Sequence, residues 1–88
     1  MKEGFVYILQ SEKTHRYYIG SCQDITARVA EHNAGQTTAT KYQRPWVLKF
    51  KQFYSSIVTA RRIEYKLKKL KRRDYIENII KDGRIKIK

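Results

Sequence analysis

Apolar and polar positions along the 88 residues fall into six patterned stretches. Gly4-Phe5-Val6-Tyr7-Ile8-Leu9 is β-branched and aromatic, which suits a strand. Alternation places Phe5, Tyr7 and Leu9 on one of its faces. Residues 11–15 are polar and read as a loop. Arg16-Tyr17-Tyr18-Ile19-Gly20 reads as a second strand that closes an antiparallel hairpin, with Tyr18 and Gly20 on the face opposite Tyr17 and Ile19. Asp24 is a good N-cap for a helix through Ile25 to Asn33, and Gly35 is its natural stop. Residues 36–45 form a polar loop. A third strand follows at 46–54, where Leu48, Phe50 and Tyr54 alternate against Lys49 and Lys51. Ser55 or Ser56 caps a helix over about 57–71, with Ile57, Ala60, Ile63, Leu67 and Leu70 as its apolar stripe. A last helix covers about 74–82, with Tyr75, Ile76, Ile79 and Ile80 apolar, and Gly83 ends it. The tail from Arg84 to Lys88 reads as a frayed extension or an edge strand. The order β-β-α-β-α-α predicts an α+β domain in which helices flank a small three-stranded antiparallel sheet.

Composition narrows the function classes. At 88 residues, one domain over 1–88 is the natural reading. A hydrophobic fraction of 41% and an aromatic fraction of 12% supply one modest core, which excludes a wholly disordered basic tail. The longest apolar run, Phe5 to Leu9, is too short to span a bilayer or to act as an export signal, so a cytoplasmic location is expected. Cys22 is the only cysteine, which excludes an intrachain disulfide and a cysteine-based zinc site.

Charge then points to a partner. The net charge is +12, and its distribution is uneven. Residues 1–40 balance Lys2, Lys13, Arg16 and Arg28 against Glu3, Glu12, Asp24 and Glu31, so residues 41–88 hold the whole excess. Arg61, Arg62, Lys66, Lys68, Lys69, Lys71, Arg72 and Arg73 crowd one helical segment with a single acid, Glu64. Such clustering suits a polyanion, and nucleic acid first, because Lys and Arg displace counterions from the phosphate backbone. An anionic membrane fits poorly: the segment has only a narrow apolar stripe and no Trp or Phe.

Several residues carry candidate chemistry. Glu64 lies at the edge of the core-facing side of its helix, where a carboxylate pairs with Arg61 or Lys68 or binds a cation such as Mg²⁺. Arg28 and His32 are spaced i, i+4 and share a helix face. They suit phosphate clamping and proton transfer, or else a solvated polar face. Tyr7 and Tyr18 stand on adjacent strands. Their phenols serve as proton acceptors if a cation lowers their pKa, or they are simply packed sheet residues.

In this order and spacing the residues resemble the GIY-YIG nuclease family. Tyr18-Ile19-Gly20 matches the second motif intact, whereas Phe5-Val6-Tyr7 keeps only the tyrosine of the first. Arg28-x-x-x-His32-Asn33-x-Gly35 follows at the family's distance, and Glu64 lies on a later helix, where the family keeps its metal ligand. The resemblance covers residues 4 to about 80. It is closest to small standalone bacterial members related to the N-terminal nuclease domain found in the bacterial excinuclease. The pattern of that subgroup also includes Arg44-Pro45-Trp46-Val47-Leu48 and Ala60-x-x-x-Glu64-x-x-Leu67-Lys68.

The resemblance implies an endonuclease that hydrolyses phosphodiester bonds with one divalent metal ion, on DNA rather than RNA, in repair or processing. Glu64 would hold Mg²⁺ or Mn²⁺, and Arg28 would neutralise charge on the phosphate. Tyr7 would accept a proton from the attacking water, with Tyr18 and His32 orienting that water or relaying its proton. Basic residues of 61–73 would bind flanking phosphates. Asn78 stays outside this set, Tyr17 is expected to pack, and His15 and Cys22 receive no role. The chain has no room for the extra DNA-binding domain that often supplies specificity in this family, so weak sequence preference, or specificity from a protein partner, is expected. Oligomeric state is left open. The alternative is a basic DNA- or RNA-binding module on the same fold without catalysis.

Overall fold

A computed structural model describes residues 2–86. Strand β1 spans Gly4–Ser11, β2 Tyr17–Cys22, α1 Ile25–Asn33, β3 Trp46–Tyr54, α2 Ile57–Leu70 and α3 Arg73–Asp82. A short 3₁₀ turn, Lys41–Gln43, interrupts the loop before β3. The α+β class and the order β-β-α-β-α-α are as the sequence predicts. The sheet is antiparallel in the order β2-β1-β3, so β1 is central. Its four residues Val6 to Leu9 are shielded on both faces, at 0–1% exposure.

Alternation along β1 feeds two cores. Val6 and Ile8 join Phe50 and the inner stripes of α2 and α3, namely Ala60, Ile63, Leu67, Ile76 and Ile79. Tyr7 and Leu9 join Cys22 and Trp46 on the opposite face, against Ile25 and Val29 of α1. Helices therefore cover both faces of a three-stranded sheet. Asp24 and Ser56 cap α1 and α2 by accepting from the amides of Ala27 and Val58.

Three expectations are corrected. Leu48 and Phe50 do not share a face. A bulge pairs Ile8 with Phe50 but Leu9 with Leu48, so Lys49 is an extra residue in β3. Leu48 then packs with Tyr7, and Phe50 with Val6. Leu70 does not belong to the buried stripe: it is 44% exposed, because α2 ends there and Lys71 turns the chain through φ 51° into α3. The tail forms no strand over Arg84–Lys86, yet it is not frayed there: Ile85 is buried in the α2–α3 core, and its amide donates to Gln52 Oε1 at 2.7 Å. Ile87 and Lys88, included in the tail, lie outside the described residues.

Candidate active site

The site is assembled at the edge formed by β2. Residues on one face of β2 look toward α1, and those on the other look toward α2. The hairpin register sets Tyr7 opposite Gly20 and Leu9 opposite Tyr18. A Cβ at position 20 would overlap the ring and hydroxyl of Tyr7. Glycine there is what allows the phenol to lie across β2.

Tyr7 is 1% exposed, and its hydroxyl lies 2.9 Å from His32 Nε2. His32 is fully buried, and its Nδ1 lies 2.8 Å from Thr40 Oγ1. The Thr40 hydroxyl also reaches the Thr37 carbonyl at 3.4 Å, which can only accept. With that proton spent, Thr40 accepts from His32 Nδ1–H. This tautomer leaves Nε2 as a lone pair that accepts the Tyr7 hydroxyl proton. The direction of the chain is thus Tyr7 to His32 to Thr40. Tyr18 stands edge-on to the imidazole, with centroids 5.0 Å apart, and is 6.5 Å from the Tyr7 ring.

Burial sets the electrostatics here. It pushes the Tyr7 phenol well above the usual tyrosine range, with help from nearby Tyr18 and against the opposing pull of Arg28. It pulls His32 below 6.5, and the Arg28 charge adds to that. A phenol that accepts protons was expected to have its pKa lowered by a cation; in the structure desolvation outweighs the arginine. His32 does not lie on a solvated polar face, although it shares one turn with Arg28. Arg28 stays half-exposed, pairs with Glu31 at 3.2 Å, and lines an open cleft of 330 Å³ with Ser21, Cys22 and Arg61.

Glu64 reaches the same place from α2. One carboxylate oxygen accepts from the Ser21 hydroxyl of β2, and the other meets Lys68 Nζ at 2.6 Å. The glutamate is 20% exposed. Lys68 Nζ also lies 5.5 Å from the Tyr18 ring centroid, so this side chain wraps around the β2 edge from one face of the sheet to the other. Of the two ion-pair partners considered for Glu64, Lys68 is the one realised. Among the described residues no three His, Cys, Asp or Glu side chains cluster to hold a metal ion. A single carboxylate suits Mg²⁺, which uses one or two carboxylates, waters and substrate phosphate, once the ion displaces Lys68 from the outer oxygen. The Lys68 ammonium already occupies the cationic side of that carboxylate.

The structure therefore brings Tyr7, Tyr18, Arg28, His32 and Glu64 together. The eight basic residues divide. Lys68, Lys71, Arg72 and Arg73 line a second cleft with Arg16, whereas Arg61 belongs to the cleft of Arg28. Arg72 pairs with Asp74 at 2.7 Å, and Arg73 with Glu77 at 3.3 Å. Arg62, Lys66 and Lys69 are exposed along α2. Asn78 is exposed on α3. Tyr17 packs as expected, beneath Arg73.

Sequence reasoning missed Thr40, Ser21 and the clamp made by Asn33. Thr40 orients His32 through its hydroxyl and holds Trp46 Nε1 through its carbonyl at 2.9 Å. Asn33 donates to the Trp46 carbonyl and accepts from its amide, at 3.0 and 2.7 Å, which docks α1 onto the start of β3. Nothing distinguishes a threonine in a polar loop until the fold places it.

Comparison with known proteins shows the family. A family model described as the GIY-YIG catalytic domain matches residues 3–78. A UPF0213 protein of Staphylococcus haemolyticus is 36% identical over 80 residues, covering 90% of this chain and 96% of the relative. A UPF0213 protein of Halobacterium salinarum is 41% identical over 71 residues, covering 76% and 87%. The solution NMR structure of a UPF0213 protein from Bacillus halodurans superposes with a TM-score of 0.57 at 30% identity, covering 92% of this chain and 86% of that one. With Tyr18-Ile19-Gly20 packed against Tyr7, and Arg28, His32 and Glu64 at one strand edge, the chain belongs to the GIY-YIG nuclease family, among the small UPF0213 proteins.

Proposed function

We propose that the protein is a divalent-metal-dependent endonuclease acting on DNA, with Glu64 as the metal ligand. One observation carries the reading. A carboxylate that already holds a cation sits beside a buried Tyr–His pair and an arginine, at a strand edge flanked by basic side chains. Mg²⁺ or Mn²⁺ held by Glu64 would supply Lewis-acid stabilisation of the scissile phosphate and of its leaving oxygen. Ser21 orients the carboxylate through its hydroxyl. Lys68 must release Glu64 and is then free to meet phosphate.

Arg28 offsets the charge that develops on the phosphate. The attacking water gives its proton to the Tyr7 oxygen as the Tyr7 proton passes to His32 Nε2, so no free phenolate is required. The imidazolium that results keeps its Nδ1–H on Thr40. Tyr18, half-buried against the imidazole, orients the water. Basic residues along α2 hold flanking phosphates, which positions the strand without reading bases.

A second reading rests on the same glutamate. A pair with Lys68 is what a purely structural carboxylate would make, and it suits a binding module without catalysis. The two readings separate on Glu64→Ala, assayed for cleavage of single-stranded, duplex and branched DNA with Mg²⁺ or Mn²⁺ and for binding in the same tubes. The nuclease reading expects metal-dependent cutting by the wild type, lost in the variant, with binding kept or tightened because a negative charge is gone. Binding without cutting by the wild type on every substrate favours the module.

A further inference from the structure

We propose that the cleft between β2 and the α2–α3 turn binds an unpaired nucleotide of the substrate, its base against Arg73 and its phosphates on the rim. This rests on the nucleic-acid reading above and names the strand structure that reading leaves open. The cleft has a volume of 260 Å³. Its floor is apolar, built from Ile19, Leu67 and Ile76, and its rim carries Arg16, Lys68 and Lys71. Phosphate gains nothing from an apolar floor, and an apolar peptide gains nothing from the cationic rim. A nucleotide with its base splayed out satisfies both.

Arg73 supports this assignment more directly. Its guanidinium carbon lies 4.7 Å from the centroid of the Tyr17 ring. Its Nε faces Glu77 at 3.3 Å, and Nη1 donates to the His15 carbonyl at 3.1 Å. Two of its five N–H groups are engaged within the protein, which anchors the guanidinium over Tyr17. What it offers is a planar cation anchored over an aromatic ring. Unpaired bases stack on such guanidinium planes, as they do on aromatic rings. Tyr17 and Arg73 come from different elements, 56 positions apart in the chain, and both line the cleft.

The cleft adjoins the candidate active site. Lys68 belongs to both, pairing with Glu64 and lining the rim. Lys71 follows Glu64 by seven residues, about 10 Å along a helix axis. That is the length of about three stacked nucleotides at about 3.4 Å each. Cleavage then falls within a few nucleotides of an unpaired position, which selects single strands, flaps or bulges over blunt duplex.

The test uses the full chain and fluorescence anisotropy. The probes are a labelled single strand, a blunt duplex of the same sequence, and single strands carrying one abasic position moved along their length. The single strand is expected to bind roughly tenfold more tightly than the duplex, and one abasic position to remove most of that difference. Arg73→Lys keeps the charge and removes the plane. It is expected to lose the base-dependent part while the salt dependence of binding stays. Tyr17→Ala, with its fold checked by circular dichroism, should do the same. Equal affinity for strand and duplex, or no effect of any abasic position, overturns the cleft assignment while nucleic-acid binding stands. Base-dependent binding without metal-dependent cleavage upholds the cleft and overturns the nuclease reading. Absence of binding to every probe overturns both.

Discussion

At the scale of single residues, the fold stakes most on His32. A fully buried imidazole has both nitrogens satisfied, one by Tyr7 and one by Thr40. Removing the Tyr7 hydroxyl would leave Nε2 without a partner, at a cost of about 1–3 kcal/mol. The pH dependence follows from burial. His32 titrates below 6.5 in the folded chain and near 6.5 when unfolded. As pH falls below about 6.5, the unfolded state takes up a proton that the folded state refuses, so stability is lost on acidification. Urea unfolding of wild type and His32→Gln across that window is expected to show a wild-type advantage that shrinks as pH drops. An advantage that grows instead would mean that folded His32 binds its proton more tightly than the unfolded chain does. Glu64 is readable from chemistry alone, since a lone acid among cations demands a partner. Thr40 and Ser21 are not readable, because a hydroxyl gains meaning only from what the fold sets beside it.

At the scale of elements, α1 is the shortest of the three α-helices and the one that carries Arg28 and His32. It has nine residues, fewer than an isolated helix needs to persist in water. Two devices hold it: the Asp24 cap, whose carboxylate accepts from Ala27 N at 3.0 Å, and the Asn33 clamp on Trp46. Asp24→Ala is expected to cost about 1 kcal/mol in global stability, read from the urea midpoint. A change below a few tenths would mean that packing alone holds the helix. The types of the six main elements are legible in the sequence, since period and caps agree in each stretch. The bulge at Lys49 is not. One extra residue leaves no mark on local propensity, yet it flips every side chain beyond it to the other face.

At the scale of the whole molecule, charge decides how the protein meets a polyanion. Among the described residues Arg61, Arg62, Lys69 and Lys71 carry no ion pair, whereas Lys68, Arg72 and Arg73 each face an acid. A cation already offset by a neighbouring carboxylate displaces fewer counterions. Arg62→Ala is therefore expected to lower the slope of log affinity against log salt by about 0.9, and Arg72→Ala by clearly less. Binding titrations of duplex DNA at several salt concentrations measure both. Equal slopes for the two variants would show that the Arg72–Asp74 pair opens on binding.

Element order and the basic segment of α2 are written in the chain itself, because side-chain period, capping, turn chemistry and charge density all act within a few positions. The five residues that meet at the β2 edge are picked out by resemblance to the family's motifs, not by any local pattern. What those residues do to one another is a matter of packing. Packing gave Glu64 to Ser21 and Lys68, buried the Tyr7 phenol deeply enough that desolvation outweighs Arg28, and laid Arg73 on Tyr17 to line a cleft. Those outcomes depend on partners that lie far apart in the chain and meet only when the helices close over the two faces of the sheet, so no local pattern encodes them.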